Sequence, residues 1–556
     1  MEIKWEIKKR AYDDVISQLL YARGVIGLNA TKDDINKFIN PDFSRDLGDP
    51  KKLPDILPAI NRIKKVKENE EKVGIYADYD ADGIPGAAFL ARAFQKLNIE
   101  FETYIPSRAE GYGMSREGID FLIGKGVGLI FTVDLGIKNF EEAKYCHEKK
   151  IDLIISDHHL PDRELPWALA VVNPKREDSK YSFCELSGAG VVFKIIEALQ
   201  EHYPKIITER FLKWNLDLIA ISTISDVVPL LGENRIIAKY GLIVMQKSKN
   251  IGINKLVESA KIDQNNIGAY HVGFLLGSRI NAPGRIDHAT KSYQLLISND
   301  PKESKEIAKF LEIKNYDRQE MMKRVEEEAR NKIIRNKLDK NKVIVVRGEW
   351  PKGVLGPSAS NLVYLFGKPV VLLSKDKNTL SGSARSVEGV NIFEVLEGCK
   401  KHLNKFGGHR GAAGLSLDVK KYDEFCECLF KITDKKINDE DLTKKVKVDM
   451  ELRFKEVNQY LLKDLEKLEP YGMGNPRPVF VSYKVIIDDF RYVGADKNHL
   501  SMQLKADSKT FKSIYFNYKQ DKSKIQRGNM IDLVYGLEED VWNGKRNINL
   551  KVIDIR

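Results

Sequence analysis

Three short apolar runs stand out in the first half of the chain: Val73-Gly74-Ile75-Tyr76, Val127-Gly128-Leu129-Ile130-Phe131-Thr132-Val133 and Ile151-Asp152-Leu153-Ile154-Ile155. Each is almost continuously apolar, the pattern of a strand covered on both faces. Helical stretches separate them, so the region from Glu71 to about Val228 reads as a parallel sheet with crossover helices. In residues 301–340 apolar side chains recur at helical spacing (Ile307, Phe310, Leu311, then Met321, Met322 and Val325), with no Pro or Gly after Pro301. That predicts one long linking helix. Val343-Ile344-Val345-Val346 and Pro369-Val370-Val371-Leu372-Leu373 then open a second α/β region, which ends in the Gly-rich stretch from Gly407 to Gly414.

Alternating segments return near the C-terminus: 479–481, 484–487, 500–504, 531–534 and 548–552. About five short strands in so few residues suit a small β-barrel, and an OB-fold is the natural candidate. The expected organisation is an α/β protein with an N-terminal helical extension (1–70), a parallel-sheet domain (71–250), a helical region with the linking helix (251–340), a second α/β domain (341–435) and the barrel (446–556). A chain of 556 residues with 42% apolar residues can bury several such cores.

Composition changes this picture only modestly. Lys and Arg number 91 against 80 Asp and Glu, and the net charge of +11 suits a polyanionic partner. No apolar run approaches the roughly 20 residues needed to cross a bilayer, and Met1 to Arg10 has no apolar signal core. A cytoplasmic protein without a membrane segment is expected. The five cysteines are scattered without a CxxC pair, which argues against a disulfide framework and a zinc ribbon.

The candidate chemistry sits where the apolar runs end. The first delivers Asp78-Tyr79-Asp80-Ala81-Asp82-Gly83, whose carboxylates, two residues apart, would share one face of extended backbone. The second delivers Asp134, and the third delivers Asp157-His158-His159. Asp226 follows an apolar helical stretch that would pack on the same sheet. Single acids at strand ends usually cap helices or sit in turns. Several together repel one another unless cations neutralise them, which points to a metal centre. An EF-hand fails on the twelfth loop position, Phe89 in place of Glu, and on the buried strand that precedes the loop. Oxygen ligands mixed with imidazole suit Mn²⁺ or Mg²⁺.

These residues give the chain a family resemblance. It is similar to the DHH phosphoesterase superfamily, and within it to the single-strand-specific 5′-exonucleases, through nearly its whole length. The resemblance rests on Asp78 to Gly83, Ile105-Pro106-Ser107-Arg108 with Gly111-Tyr112-Gly113, Asp134, the name-giving Asp157-His158-His159, Ser187-Gly188-Ala189-Gly190, Ser225-Asp226 with Asn234-Arg235, and Arg279-Ile280-Asn281-Ala282 with Gly284-Arg285. It continues through Trp350, Gly353-Val354, Gly382-Ser383-Ala384-Arg385-Ser386 and Phe406-Gly407-Gly408-His409-Arg410-Gly411-Ala412-Ala413-Gly414, which resembles the signature of the DHH-associated domain. The sequence departs from the common pattern at Ser278 and at Pro283, which would restrict a loop there.

The resemblance implies a DHH catalytic domain, a DHH-associated substrate domain and an OB-fold that binds nucleic acid. It implies two ions, Mn²⁺ or Mg²⁺, held by Asp80, Asp82, Asp134, His158 and Asp226, with Asp134 bridging them. Asp78 either ligates or orients the ligands, and Asp157 and His159 either support them or face the substrate. His409, after Gly408 in a Gly-rich turn, is expected at the scissile phosphate. Arg108, Arg279, Arg285, Ser383 and Arg385 are candidate phosphate anchors. Tyr112 is a candidate base-stacking residue, and Asn281 belongs to the same nucleic-acid-binding set. The implied activity is 5′ to 3′ hydrolysis of single-stranded DNA in recombination and repair, with single-strand-binding protein and a helicase as implied partners. Two rival readings share parts of the pattern: a phosphodiesterase for short RNA or cyclic dinucleotides, and a scaffold whose site has decayed. The barrel and the intact acids stand against them.

Overall fold

The computed structural model describes residues 3–108, 110–518, 525–542 and 545–556. Its first sheet is built from β1 (Lys72–Ala77), β2 (Phe101–Tyr104), β3 (Val127–Val133), β4 (Asp152–Ser156) and β5 (Ala170–Val172). All are parallel, in the order β2-β1-β3-β4-β5. Leu129, Phe131 and Val133 of β3 point into one apolar cluster and Ile130 into another on the opposite face. Both faces are therefore covered, which is why the run reads as continuous apolar sequence.

Helices α1 (Gly83–Leu97), α2 (Gly188–Leu199) and α3 (Leu216–Ser225) fill the larger cluster. Helix α4 (Gly277–Ile286) follows a π-helical turn at His271–Leu276. Pro283 lies inside α4, so it sits in a helix and not in the expected loop.

The linking helix α5 (Pro301–Arg335) runs for 35 residues, about 50 Å. Asp300 accepts from the Lys302 N–H at its start, and Pro301 occupies the first turn, where its missing N–H costs nothing. Its buried stripe changes partners along its length. Ile307 and Leu311 belong to the first core, whereas Val325, Ala329 and Ile333 pack on the second domain.

That second domain is a five-stranded sheet of β6 (Ile344–Gly348), β7 (Val370–Asp376), β8 (Thr379–Arg385), β9 (Lys405–His409) and β10 (Ala412–Asp418), in the order β9-β10-β8-β7-β6. Gly407 and Gly408, expected in a turn, are strand residues. The hairpin pairs His409 with Ala412 across Arg410-Gly411. Gly408 has φ of +149°, and a Cβ there would fall 2.3 Å from the Ala412 carbonyl oxygen, so the strand needs glycine at this point.

The C-terminal barrel has long strands Phe480–Val493, His499–Ala506, Lys509–Tyr515, Met530–Trp542 and Lys545–Ile555. The first pairs with both the second and the fourth, which closes the barrel. Two expected strands, 479–481 and 484–487, are one strand with an irregularity between Ser482 and Val485. Strand Lys509–Tyr515 escaped the sequence reading.

The expected N-terminal extension is not a separate unit. Lys4–Ile7 forms a parallel pair with Lys445–Val448, and Leu19, Leu20, Ile26 and Phe38 enter the barrel's core. Phe43, Leu53, Ile56 and Ile60 enter the first domain's core instead. Arg235 fastens the two together: its guanidinium donates to the carbonyls of Phe38, Lys467, Leu468 and Glu469. No described helix is long and apolar enough to cross a membrane. All five cysteines are free.

Candidate metal centre

The carboxyl ends of β1, β3 and β4 bring the predicted acids and histidine into one cluster, as expected for an open α/β sheet. The route differs from the expected one in β1. The strand stops at Ala77, and residues 78–82 turn into α1, so the three aspartates converge through a turn and not along extended backbone. Asp80 Oδ1 accepts from the N–H groups of Asp82 (2.8 Å) and Gly83 (3.2 Å), so it closes the turn that leads into α1 as well as being a candidate ligand. Asp82 reaches across to α2, where its carboxylate accepts from the N–H groups of Gly188 and Ala189, both at 2.8 Å, and from Ser222 Oγ at 2.7 Å. A helix N-terminus and a hydroxyl thereby fix its orientation.

Asp134 carries φ of +64°, a costly backbone for a residue with a side chain. Neighbouring hydrogen bonds impose it: Asp134 N–H donates to the Ser156 carbonyl, and Thr132 Oγ1 donates to the Leu135 carbonyl. Gly188 makes room for it, because a Cβ there would lie 2.5 Å from Asp134 Cβ. Asp226 ends α3 and precedes Val227, which also has a left-handed backbone (φ +62°).

His158 is the pivot of the cluster. A carbonyl can only accept, so the 2.9 Å contact to the Leu186 oxygen puts the proton on Nδ1. Nε2 is left buried without a hydrogen-bond partner, 3.3 Å from Asp134 Oδ1, 3.5 Å from Asp82 Oδ2 and 3.6 Å from Asp226 Oδ2. Burial lowers the pKa of His158, so the ring is neutral and offers a lone pair. Asp78 Oδ1 and Asp134 Oδ1 are likewise buried without a hydrogen-bond partner.

Burial is the first cause, and neighbouring carboxylates the second, of pKa values held well above the ordinary range at Asp78, Asp134 and Asp226 and raised at Asp80. Orphaned lone pairs among mutually repelling carboxylates are the donor set a divalent cation satisfies. Three overlapping groups have ligand atoms within 4.8 Å of one another: Asp78, Asp80 and Asp134; Asp82, His158 and Asp226; and Asp134, His158 and His159. Asp134 and His158 recur, so the cluster has room for more than one ion.

Asp157 is a scaffold for this cluster. It accepts from the N–H groups of Ile137, His158 and His159 and from His159 Nδ1. Burial opposes its ionisation, but these donors win and its pKa is lowered. His159, in turn, loses basicity through burial and regains more from Asp157, ending at about 9. Tyr112, the candidate base-stacking residue, donates its hydroxyl to the Asp134 carbonyl (3.2 Å), and its ring meets His159 edge-on.

The arginines separate into two kinds. Arg279 is not open to the cleft: it forms a two-pronged ion pair with Glu312 of the linking helix and donates to the Leu275 carbonyl. Asn281 accepts from the Ala81 N–H and so holds the acidic turn. By contrast, Arg108, Arg285, Ser383 and Arg385 line one pocket of about 270 Å³, together with Lys352. No carboxylate pairs with Arg108, Arg285 or Arg385 among the described residues, nor with the neighbouring Arg318, whose Nε is buried without a partner. Arg385 Nη1 donates to Ser383 Oγ at 2.7 Å. Burial, and then repulsion from Arg108 and Arg318, pulls Arg285 down to about 10. The pocket borders the acids, since Arg108 lies 4.8 Å from the ring centre of Tyr79, between Asp78 and Asp80. Sequence reading missed Lys352 and Arg318 because each is one cation among many, and only the fold reveals that Lys352, paired at the rim with Asp376, and Arg318, with no carboxylate partner among the described residues, stand at this pocket. His409 is exposed on its hairpin.

Three family models cover most of the chain: the DHH family N-terminal domain over residues 72–223, the DHHA1 domain over 340–434 and the RecJ OB domain over 448–554. A Bacillus subtilis protein named single-stranded-DNA-specific exonuclease RecJ is 34% identical over 568 residues, spanning 100% of this chain and 71% of its own length. The chain belongs to the RecJ family. The Haemophilus influenzae RecJ is 32% identical, with 90% of this chain and 91% of that protein covered. The crystal structure of RecJ from Thermus thermophilus in complex with Mn²⁺ superposes with a TM-score of 0.82 at 25% identity, over 100% of this chain and 79% of that one. The RecJ fold thus accounts for all three domains and for their order.

Proposed function

We propose that this RecJ-family chain is a metal-dependent, single-strand-specific DNA exonuclease that works from the 5′ end by a two-metal mechanism. The observation that carries the reading is the buried, unpartnered His158 Nε2 facing Asp82, Asp134 and Asp226 at 3.3–3.6 Å. The relatives' name, single-stranded-DNA-specific exonuclease, supplies the substrate class. Two ions, Mn²⁺ or Mg²⁺, fit the oxygen and imidazole donors of Asp78, Asp80, Asp82, Asp134, His158 and Asp226. When bound, such a pair supplies the charge that makes water a nucleophile at neutral pH and stabilises the departing 3′-oxygen.

The chain's own groups do the rest. Arg108, Arg285, Ser383, Arg385 and Lys352 hold a phosphate beside the acids, with Arg318 adding positive potential behind them. A small pocket of cations at the cleft suits a phosphate of an entering strand, and the 5′ polarity is supported by the family resemblance. Asp157 and Asn281 position the ligands, and His159, hydrogen-bonded to Asp157, stands at the open side of the cluster. His409 approaches the substrate from the second domain. The barrel grips the rest of the strand without reading its sequence. The reading extends to a cytoplasmic location, supported by the free cysteines, and to single-strand-binding protein and a helicase as partners in recombination and repair, supported by the family resemblance.

The test compares a labelled long single strand bearing a 5′-phosphate, its duplex, a short RNA, a dinucleotide and a cyclic dinucleotide, each with Mn²⁺, Mg²⁺ or a chelator. Mononucleotides released from the 5′ end of the single strand alone, and only with metal, are expected. Preference for either dinucleotide would replace this reading with that of a small-substrate phosphodiesterase.

A further inference from the structure

The second domain brings together two thiols that no part of the nuclease reading uses. Cys399 follows the helix Ile392–Glu397, and Cys428 lies on the helix Tyr422–Lys436. They are 29 residues apart in sequence, yet their sulfurs stand 2.9 Å apart. Cys399 is fully buried in the domain's core, whereas Cys428 is half-buried at its edge. One sulfur is therefore reachable from solvent and the other is held directly behind it. This is the arrangement of a peroxidatic thiol backed by a resolving thiol.

We propose that Cys399 and Cys428 are a redox modification site, which a hydroperoxide converts reversibly to an intramolecular disulfide. The Cys428 thiol gives its proton to solvent, the resulting thiolate attacks hydrogen peroxide, the O–O bond breaks, and Cys428 becomes a sulfenic acid while the departing hydroxide takes a proton back from solvent as one water. Cys399 sulfur then attacks the Cys428 sulfur. The S–S bond forms, the S–O bond breaks, and the departing hydroxide takes the Cys399 proton as a second water. Two thiols are oxidised and one peroxide is reduced. Burial holds the Cys399 thiol well above its ordinary pKa, so it stays protonated until the sulfenic acid is beside it.

The bond closes a loop across the element that carries His409. Phe393, on the helix before Cys399, packs on Phe406 of β9 at 5.6 Å between ring centres. Fixing Cys399 to Cys428 removes freedom from the unfolded domain while the two helices are already in contact, so oxidation stabilises without rearranging the hairpin. It also captures the sulfenic acid before irreversible overoxidation. Cys426, two residues from Cys428, is the third thiol of the region and takes no part in the bond.

The test uses the full chain, reduced and then exposed to hydrogen peroxide, with remaining thiols blocked by iodoacetamide and read by intact mass and peptide mapping. Wild type is expected to lose two hydrogens, to show one linked peptide pair containing positions 399 and 428, and to revert with dithiothreitol. Cys426→Ser is expected to behave like wild type. Cys399→Ser is expected to leave Cys428 as a sulfenic acid that dimedone traps. The oxidised wild type is expected to melt about 5–10 °C higher in this domain than the reduced protein, a shift absent from Cys428→Ser. Five alkylatable thiols after peroxide, a linked pair involving another cysteine, or sulfinic acid at Cys428 in wild type would overturn the proposal.

Discussion

The acidic cluster and the cationic pocket border each other, but they are built on different supports. The acids and His158 belong to a single domain. Asp78, Asp134, Asp157 and His158 follow the ends of three neighbouring strands of one sheet, Asp80 and Asp82 lie in the turn into α1 and Asp226 ends α3, and hydrogen bonds to Asp80, Asp82 and Asp157 fix their carboxylates before any ligand arrives. The guanidiniums come from four places: Arg108 after β2, Arg285 on α4, Arg318 on the linking helix and Arg385 at the end of β8. Gly353 of the second domain packs so closely on α4 that a Cβ there would fall 2.0 Å from the Arg285 carbonyl oxygen. The acidic cluster is thus a property of one domain, while the cationic pocket exists only while two domains and the linking helix are docked. Metal affinity and substrate affinity should separate under mutation.

The largest effect is expected at the metal centre. Asp134→Asn keeps the side chain's shape but removes the charge shared by two of the ligand groups, and turnover of a labelled single strand should fall by about three orders of magnitude or more. Strand binding in chelator should change less than tenfold, because the cationic pocket is untouched. A comparable loss of both would erase the separation.

Arg385→Ala should do the opposite. Losing one charged hydrogen-bonding group is expected to raise KM for a 5′-phosphorylated strand by about 10–100-fold, with a smaller change for a 5′-hydroxyl strand. Mn²⁺ affinity, read by calorimetry, should stay unchanged.

The acids also set a pH signature for the metal-free protein. Asp78, Asp134 and Asp226 are held well above their ordinary values, first by burial and then by the neighbouring carboxylates of Asp80 and Asp82. From about pH 4 up to those raised values, the folded chain keeps protons that the unfolded chain has lost. Metal-free stability should therefore fall as pH rises through that window. Saturating Mn²⁺ should raise the melting temperature by several degrees and cancel the fall, because bound cations require ionised ligands. A melting temperature indifferent to both pH and Mn²⁺ would mean the carboxylates are not frustrated.

The smallest effect belongs to Arg279→Ala, which breaks the two-pronged pair with Glu312 on the linking helix. It should cost about 1–2 kcal/mol of stability by denaturant titration and raise KM a few-fold through looser docking, with Mn²⁺ affinity intact.

Much of the acidic cluster, the candidate metal centre, was legible from sequence because strand-end acids follow directly from apolar runs: Asp134 and Asp157 fall where β3 and β4 stop, and the sheet topology does the rest. Arg279 was not legible. Its neighbour in the motif, Arg285, faces the pocket while Arg279 faces Glu312, and a residue pattern does not say which way a helix turns its guanidiniums. The convergence of Asp78, Asp80 and Asp82 was anticipated for the wrong local reason, since period-two alternation holds only while a strand lasts, and β1 ends at Ala77. The linking helix was readable from its uninterrupted helical spacing. The N-terminal segment was not, because Leu19 and Leu20 bury against a barrel more than 400 residues away, and local pattern carries no record of that partner. The pairing of Cys399 with Cys428 was hidden for the same reason.

The most direct measurement of the central claim is anomalous diffraction from a crystal soaked in Mn²⁺. Two peaks about 4 Å apart are expected, bridged by Asp134 and bounded by Asp78, Asp80, Asp82, His158 and Asp226. No peak among these side chains, or a single ion that leaves His158 Nε2 unliganded, would contradict it.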